Sequence, residues 1–413
     1  MTNTILKGSA LSVLDQAICS ASSFLTGVIV ARALLPDAFG VYSLYFTGIL
    51  LLSGFQNALI TGPARVLGVR AAGGDAGGYF RAQIALQMAL SAVLIIGAAI
   101  GLLALSPGDL PTTLAFLLCL LLVQLQELAR VINLTRMTMR ALLRLDFVTH
   151  GLRLGALLTA MTLGWLSAGA ALLIIASACG LGLLIAGRSA LAAAKTAPLW
   201  ETATANWRYG RWLLLETIAH SSSSQIYLYL TALWVSTAAV GGLSAVLVLM
   251  SAINWLLLGV INYAVPIARQ LLMEKGYNAW RIWLWRIGLF LAAAAAAFGV
   301  GASMFGQPLL GIIYSHEYAA FAYLIPIVAI QFFLNACNSV LSAAFRTAEL
   351  THVGFAGKAV SAVVTLILAY PLLTAWGVMG AAAGLVITQA VWTAVYVFYI
   401  AQGTLRDIRI EAA

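Results

Sequence analysis

The feature that most constrains this chain is a succession of apolar runs separated by short polar breaks, and the first pair shows the pattern. Lys7 precedes an apolar stretch that ends at Val28-Ile29-Val30-Ala31-Arg32. The break Ala33-Leu34-Leu35-Pro36-Asp37-Ala38-Phe39-Gly40 follows, and a second stretch then carries Leu44, Ile49-Leu50-Leu51-Leu52 and Ile60. A helix rises 1.5 Å per residue, so about 20 residues cross a hydrocarbon core ~30 Å thick. Pro36 cannot continue a helix and Gly40 releases the turn, which predicts two antiparallel spanning helices. These runs are too long for barrel strands, and inside lipid a helix is then the one segment that pairs all its own backbone groups.

Composition supports a lipid solvent. Of 413 residues 62% are hydrophobic and 8% charged, against roughly 25% charged in ordinary globular domains. The net charge of +9 does not point to nucleic acid, because the basic residues flank the apolar runs instead of clustering. Cys19, Cys119, Cys179 and Cys337 each fall inside an apolar run and no CxxC pair exists. Buried free thiols are expected, with neither a disulfide framework nor a zinc site supported by spacing. The N-terminal run is too long for a signal peptide and lacks a convincing cleavage site.

Apolar runs between breaks give about twelve spans. Their limits are near 8–32, 40–62, 80–104, 112–134, 145–167 and 169–188, then 209–235, 239–268, 282–303, 319–344, 352–375 and 378–402. The expected fold class is an all-α polytopic membrane protein in two six-helix bundles related as a parallel repeat. Residues 1–190 form the first bundle, 191–208 a cytoplasmic linker, 209–405 the second bundle and 406–413 a cytoplasmic tail. The repeat shows in polar positions. Leu14-Asp15, Ser20, Ser22-Ser23, Gly40 and Ser43 match Leu215-Glu216, Ser221, Ser223-Ser224, Gly241 and Ser244 at one displacement of 201 residues. Polar and glycine matches mean more than leucine matches, which any two spanning helices give.

Nearly all Lys and Arg flank one side, which predicts that both termini are cytoplasmic. The inner connection Ala71-Ala72-Gly73-Gly74-Asp75-Ala76-Gly77-Gly78 is expected to be a flexible loop. Trp200, Trp207, Trp212, Trp280 and Trp283 read as interfacial anchors, and Gly380 with Gly384 as a small-residue pair for close helix packing.

Ionisable residues inside the spans are the candidates for function, since a charge at the bilayer centre costs ~2.5–3.5 kcal/mol on insertion scales. Away from span ends they are Asp15, Glu127, Arg153, Glu216 and Lys358, accompanied by His150 and His220. Counting residues places the five charges in one layer, each ~10 Å inside the cytoplasmic end of its span. Each half has an acid in its first span and a base in its fifth. The alternatives are snorkelling of the bases, a local Glu127–Arg130 pair, and packing roles for Asp15 and Glu216. In span 10, Gln331, Asn335, Asn338, Ser339, Ser342 and Arg346 share a helical face, and similar polar faces occur on spans 1, 2 and 7. Such stripes are either a water-lined interior or hydrogen-bonded glue between helices. On these grounds Arg153, Lys358, His150, His220, Gln331, Asn335 and Asn338 are candidates for substrate binding, and Asp15, Glu127 and Glu216 for ion coupling. No catalytic or metal motif is present, and Gly354-Phe355-Ala356-Gly357-Lys358 is too short for a phosphate loop.

Val30-Ala31-Arg32-Ala33-Leu34-Leu35-Pro36-Asp37-Ala38-Phe39-Gly40-Val41-Tyr42-Ser43-Leu44 resembles the first-hairpin motif of Wzx-type polysaccharide flippases. Further similar stretches are Tyr318-Ala319-Ala320, Leu324-Ile325-Pro326, Ser339-Val340-Leu341-Ser342-Ala343-Ala344-Phe345-Arg346 and Trp376-Gly377-Val378-Met379-Gly380-Ala381-Ala382. The resemblance implies the MOP superfamily, with its multidrug exporters and peptidoglycan lipid flippase, and alternating access around a central cavity. It implies an undecaprenyl-pyrophosphate-linked oligosaccharide, moved from the cytoplasmic to the periplasmic leaflet of the bacterial inner membrane for surface polysaccharide assembly. The implied partners are that lipid-linked substrate, a coupling proton or sodium ion, the bilayer and the polysaccharide synthesis machinery, with no cofactor. A small-molecule exporter on the same fold is the alternative. A membrane-embedded polymerase or ligase is weaker, because no loop is long enough to carry its chemistry.

Overall fold

The computed structural model describes residues 2–71, 76–105, 109–186 and 199–404. Among them every regular element is helical. In chain order these are α1 (Thr2–Ala33), α2 (Pro36–Gln56), a π-helical turn (Asn57–Thr61), α3 (Gly62–Ala71), α4 (Ala76–Leu105), α5 (Leu110–Thr135), α6 (Met139–Thr162) and α7 (Ala168–Ala186). There follow α8 (Leu199–Ser224), α9 (Ile226–Trp234), α10 (Thr237–Met250), α11 (Ile253–Met304), α12 (Gly306–Ile313), a 3-10 segment (His316–Leu324), α13 (Ile325–Thr347) and α14 (Thr351–Ala401). Among the described residues eight helical segments are long and apolar enough to cross a membrane. The chain is a multi-span helical membrane protein.

The first break is shorter than the sequence suggests. Only Leu34 and Leu35 interrupt the helix, and Pro36 opens α2, where its missing N–H and fixed φ do no harm. Gly40 lies inside α2 instead of loosening a turn. A Cβ on Gly40 would fall 1.9 Å from the Thr237 carbonyl oxygen, and one on Gly241 would fall 1.8 Å from that of Pro36. Gly40 and Gly241 are repeat partners, as are Pro36 and Thr237, so the crossing is reciprocal. The Asp37 carboxylate accepts from the Thr237 hydroxyl at the same place.

α11 and α14, with 52 and 51 residues, each contain one non-helical glycine, Gly276 (φ 76, ψ −176) and Gly377 (φ 55, ψ −132). Both are reversals. Trp283 Nε1 donates to the Ala264 carbonyl at 3.4 Å, and the Thr365 and Thr388 hydroxyls lie 2.8 Å apart. Residues so separated along a straight helix would stand ~30 Å apart. Each half of these helices is long enough to cross the ~30 Å core alone. The boundary expected between 375 and 378 falls on Gly377.

The chain divides into two compact units. The first comprises residues 1–34 and 41–217, the second residues 35–40 and 218–413. In the first, α5 packs on α7, α6 on α7 and α1 on α6. Ile60, Phe80, Leu128, Ile132 and Leu145 make an apolar core there. The stretch 187–198, which takes in 191–198 of the expected linker, lies outside the described residues, as do 72–75 of the inner loop and 405–413 with the tail. The described remainder of the linker, from Leu199, is helical and belongs to the first unit. Asn206 there exchanges two amide hydrogen bonds of 3.0 Å with Gln83 on α4. In the second unit α13 packs on α11 and on α14. Gly384 does permit close packing, since a Cβ there would fall 2.2 Å from the Tyr227 ring.

Candidate functional site

The first unit gathers its buried charge around Arg130. α5 and α6 are joined by a turn of Arg136 to Thr138, with Met137 left-handed at φ 57. Thr138 Oγ1 donates to Asn133 Oδ1 at 2.8 Å. This tight hairpin sets Arg130 on α5 opposite Asp146 on α6, while α1 packs alongside. The Arg130 guanidinium donates from Nε to Asp146 at 2.8 Å, to Glu127 at 2.9 Å and to Asp15 at 3.1 Å. It also donates to Cys19 Sγ at 3.3 Å. Glu127 accepts a second cation, Arg65, at 2.9 Å. The Asp146 side chain is wholly buried and that of Asp15 is 7% exposed. A planar guanidinium with five N–H donors can serve several carboxylates at once, which an ammonium cannot.

Of the sequence candidates, Asp15 and Glu127 are therefore brought together, through Arg130. Arg153 is not part of that network. It follows Asp146 and His150 along one face of α6 at spacings of four and three. Arg153 is 8% exposed and donates to Ser22 Oγ on α1 at 2.6 Å. Among the described residues it joins no ion pair, and its Nε has no hydrogen-bond partner. His150 is buried beside it, with Nδ1 likewise unpartnered. Glu216 is half-buried on α8 and His220 exposed.

The second unit places Lys358 over the Trp392 ring at 5.4 Å. Asn338 is almost fully buried between α13 and α14. Its Nδ2 donates to Gln389 Oε1 at 2.9 Å and its Oδ1 accepts from Thr393 at 2.9 Å. Asn338 thus bonds helix to helix, one of the two readings its stripe allowed. Asn335 Nδ2 reaches Asn254 Oδ1 at 3.4 Å, and the buried Gln331 Oε1 accepts from nothing.

Sequence reasoning missed Asp146, the most deeply buried member of the cluster, and gave Arg130 only its local partner. Asp146 stands one residue inside the expected span 145–167 and two from Arg144, so it falls at a span end, outside the in-span candidates. The signal that finds it is the spacing Asp146, His150, Arg153, a polar stripe through an otherwise apolar helix.

No protein-family model matches this chain, and no curated protein matches its sequence. Solved structures do match. An inward-facing multidrug resistance MATE family transporter of the MOP superfamily superposes with a TM-score of 0.73 at 14% identity, covering 95% of this chain and 96% of that one. The fold is that of the MOP-superfamily transporters. The lipid II flippase MurJ, in an inward closed conformation, matches with a TM-score of 0.69 at 11% identity, over 94% of this chain and 87% of that one. A MOP superfamily transporter from Pyrococcus furiosus, described as having a binding pocket of reverse polarity that suggests a different function, gives 0.62 at 13% identity over 98% and 96%. These MOP-fold neighbours are transporters and a flippase, not enzymes.

Proposed function

We propose that this protein translocates a lipid-linked oligosaccharide with an anionic head, of the undecaprenyl-pyrophosphate class, across the bacterial inner membrane by ion-coupled alternating access. The observation that carries the reading is Arg153. Asp15, Glu127 and Asp146 are occupied by Arg130 and Arg65, while the Arg153 guanidinium is buried against a single serine. A buried cation with no carboxylate costs several kcal/mol to maintain, and a pyrophosphate is a bidentate acceptor suited to it. Lys358, half-buried in the second unit, is its counterpart there. Asp15 and Glu127, to which the network adds Asp146, are the groups for a coupling proton or sodium ion, with Glu216 as a further candidate. The direction is from the cytoplasmic to the periplasmic leaflet, both termini are cytoplasmic, and the product feeds polysaccharide synthesis machinery. A MATE-like exporter of cationic compounds would be served better by an unneutralised acid than by Arg153.

The test is the double variant Arg153→Ala/Lys358→Ala. It is expected to insert normally while lipid-linked oligosaccharide accumulates on the cytoplasmic leaflet, as it does when the protein is deleted. Normal translocation by an inserted double variant removes both residues from the site. Deletion that sensitises cells to cationic drugs without such accumulation selects the exporter reading.

A further inference from the structure

Cys19, Asp146 and His150 form a group that the Arg130 network uses only in part, since Asp146 gives Arg130 one of its two carboxylate oxygens. One ligand atom from each, a thiol sulfur, a carboxylate oxygen and an imidazole nitrogen, lies within 4.8 Å of the other two. Asp146 and His150 stand four apart on α6, so one turn of helix aims both to the same side. Cys19 comes from α1, which packs on α6. The Cys19 thiol donates to Asp146 Oδ2, the oxygen that Arg130 holds, at 3.7 Å, which leaves the other carboxylate oxygen over. Asp146 Oδ1 and His150 Nδ1 are buried without a hydrogen-bond partner, in residues 0% and 9% exposed. Asp15 Oδ1, on the same helix as Cys19, is also unpartnered. Leaving a buried polar atom unsatisfied costs about 1–3 kcal/mol, so several of them beside a thiol call for a ligand.

We propose that this group binds a divalent cation of the zinc class, with Cys19, Asp146 and His150 as protein ligands. Thiolate, imidazole and one carboxylate are the donors zinc prefers, whereas sodium and magnesium take oxygen. The fourth position falls to water or to the Asp15 carboxylate. On binding, the Cys19 thiol loses its proton to solvent. Arg130 then gives up its 3.3 Å contact with the sulfur and keeps its carboxylates. Asp146 serves both neighbours, its free oxygen meeting the metal and its other oxygen held by Arg130, as an outer-shell partner orients a ligand. The two positive charges of the metal are matched by the Cys19 thiolate and the Asp146 carboxylate. Occupancy ties α1 to α6. This site does not depend on the transport reading.

The test uses the full-length protein in detergent, stripped with a chelator. Titration with zinc chloride against a chromophoric zinc indicator is expected to find one ion per chain. Cys19→Ser and His150→Gln should each weaken binding by at least ~10-fold, since even outer-shell losses cost about 10–100-fold. Cys337→Ser should change nothing, and excess sodium or magnesium should not displace the zinc. Cobalt(II) added to the unmodified protein should give a thiolate-to-metal charge-transfer band that Cys19→Ser abolishes. Absence of that band from the unmodified protein overturns the proposal without relying on any variant. So does zinc binding that survives Cys19→Ser unchanged.

Discussion

Arg130 is the residue on which the buried charge of the first unit depends. Three carboxylates point at it, and two of them, Asp15 and Asp146, are almost wholly buried. Arg130→Met is expected to destabilise the protein by about 3–5 kcal/mol, because removing one partner strands buried charges. Arg130→Lys should recover only part of that, since one ammonium cannot fork toward Asp15, Glu127 and Asp146 together. Thermal melting followed by tryptophan fluorescence in detergent measures both. The Glu127–Arg130 pair was legible in the sequence because its members are one helical turn apart. The remainder was not. Asp15 and Cys19 come from α1, distant from Arg130 in sequence, and Asp146 from the neighbouring α6, and counting depth along each helix says nothing of which way a long guanidinium turns. Cys19 reads from sequence as a buried free thiol on a polar face, because metal spacing within a chain segment cannot reveal a donor set assembled from α1 and α6.

At the scale of the element, the helical reversals give the clearest tests. Gly276 lies in backbone space that only glycine occupies readily, yet a Cβ there would meet nothing within 4 Å. Gly276→Ala is therefore a pure backbone experiment and should cost about 1–3 kcal/mol. Gly259, in the same helix and equally open, should respond in the opposite sense, with Gly259→Ala gaining about 0.5–1 kcal/mol. Melting temperatures moving in the same direction would contradict the reversal at Gly276. In α14, cysteines replacing Thr365 and Thr388 in a cysteine-free background should cross-link under mild oxidation, as their hydroxyls are 2.8 Å apart. Asn338→Ala should cost about 1 kcal/mol, the usual size of an interhelical hydrogen-bond loss in membranes. The reversals were readable as hydropathy gaps, at the basic stretch around Lys275 and at Trp376-Gly377. The break at Ser251 and Ala252 and the π-turn at Asn57–Thr61 were not, since the few polar residues at each read as a helix face and carry no proline or glycine break.

At the scale of the whole molecule, the duplication was legible because polar and glycine positions keep one displacement across the halves. Gly40 and Gly241 then meet their own repeat partners, which a list of matching residues does not foretell. The grouping of Leu35–Gly40 with the second unit was hidden for the same reason, because sequence order assigned it to the first half. Topology can be checked with single cysteines in a cysteine-free background. Lys275→Cys should be labelled in intact cells by a membrane-permeant reagent alone, and Glu317→Cys by an impermeant one too. The opposite pattern would invert the expected orientation. The reversal at Gly377 also bears on how the protein is made. Where a chain turns back within a residue or two, no stretch is left outside to be threaded across separately. The two arms of α14 are therefore expected to enter the bilayer together as one hairpin, and the same expectation holds for α11 at Gly276. Stiffening either corner would be felt during synthesis, as slow insertion, before it was felt in the mature protein.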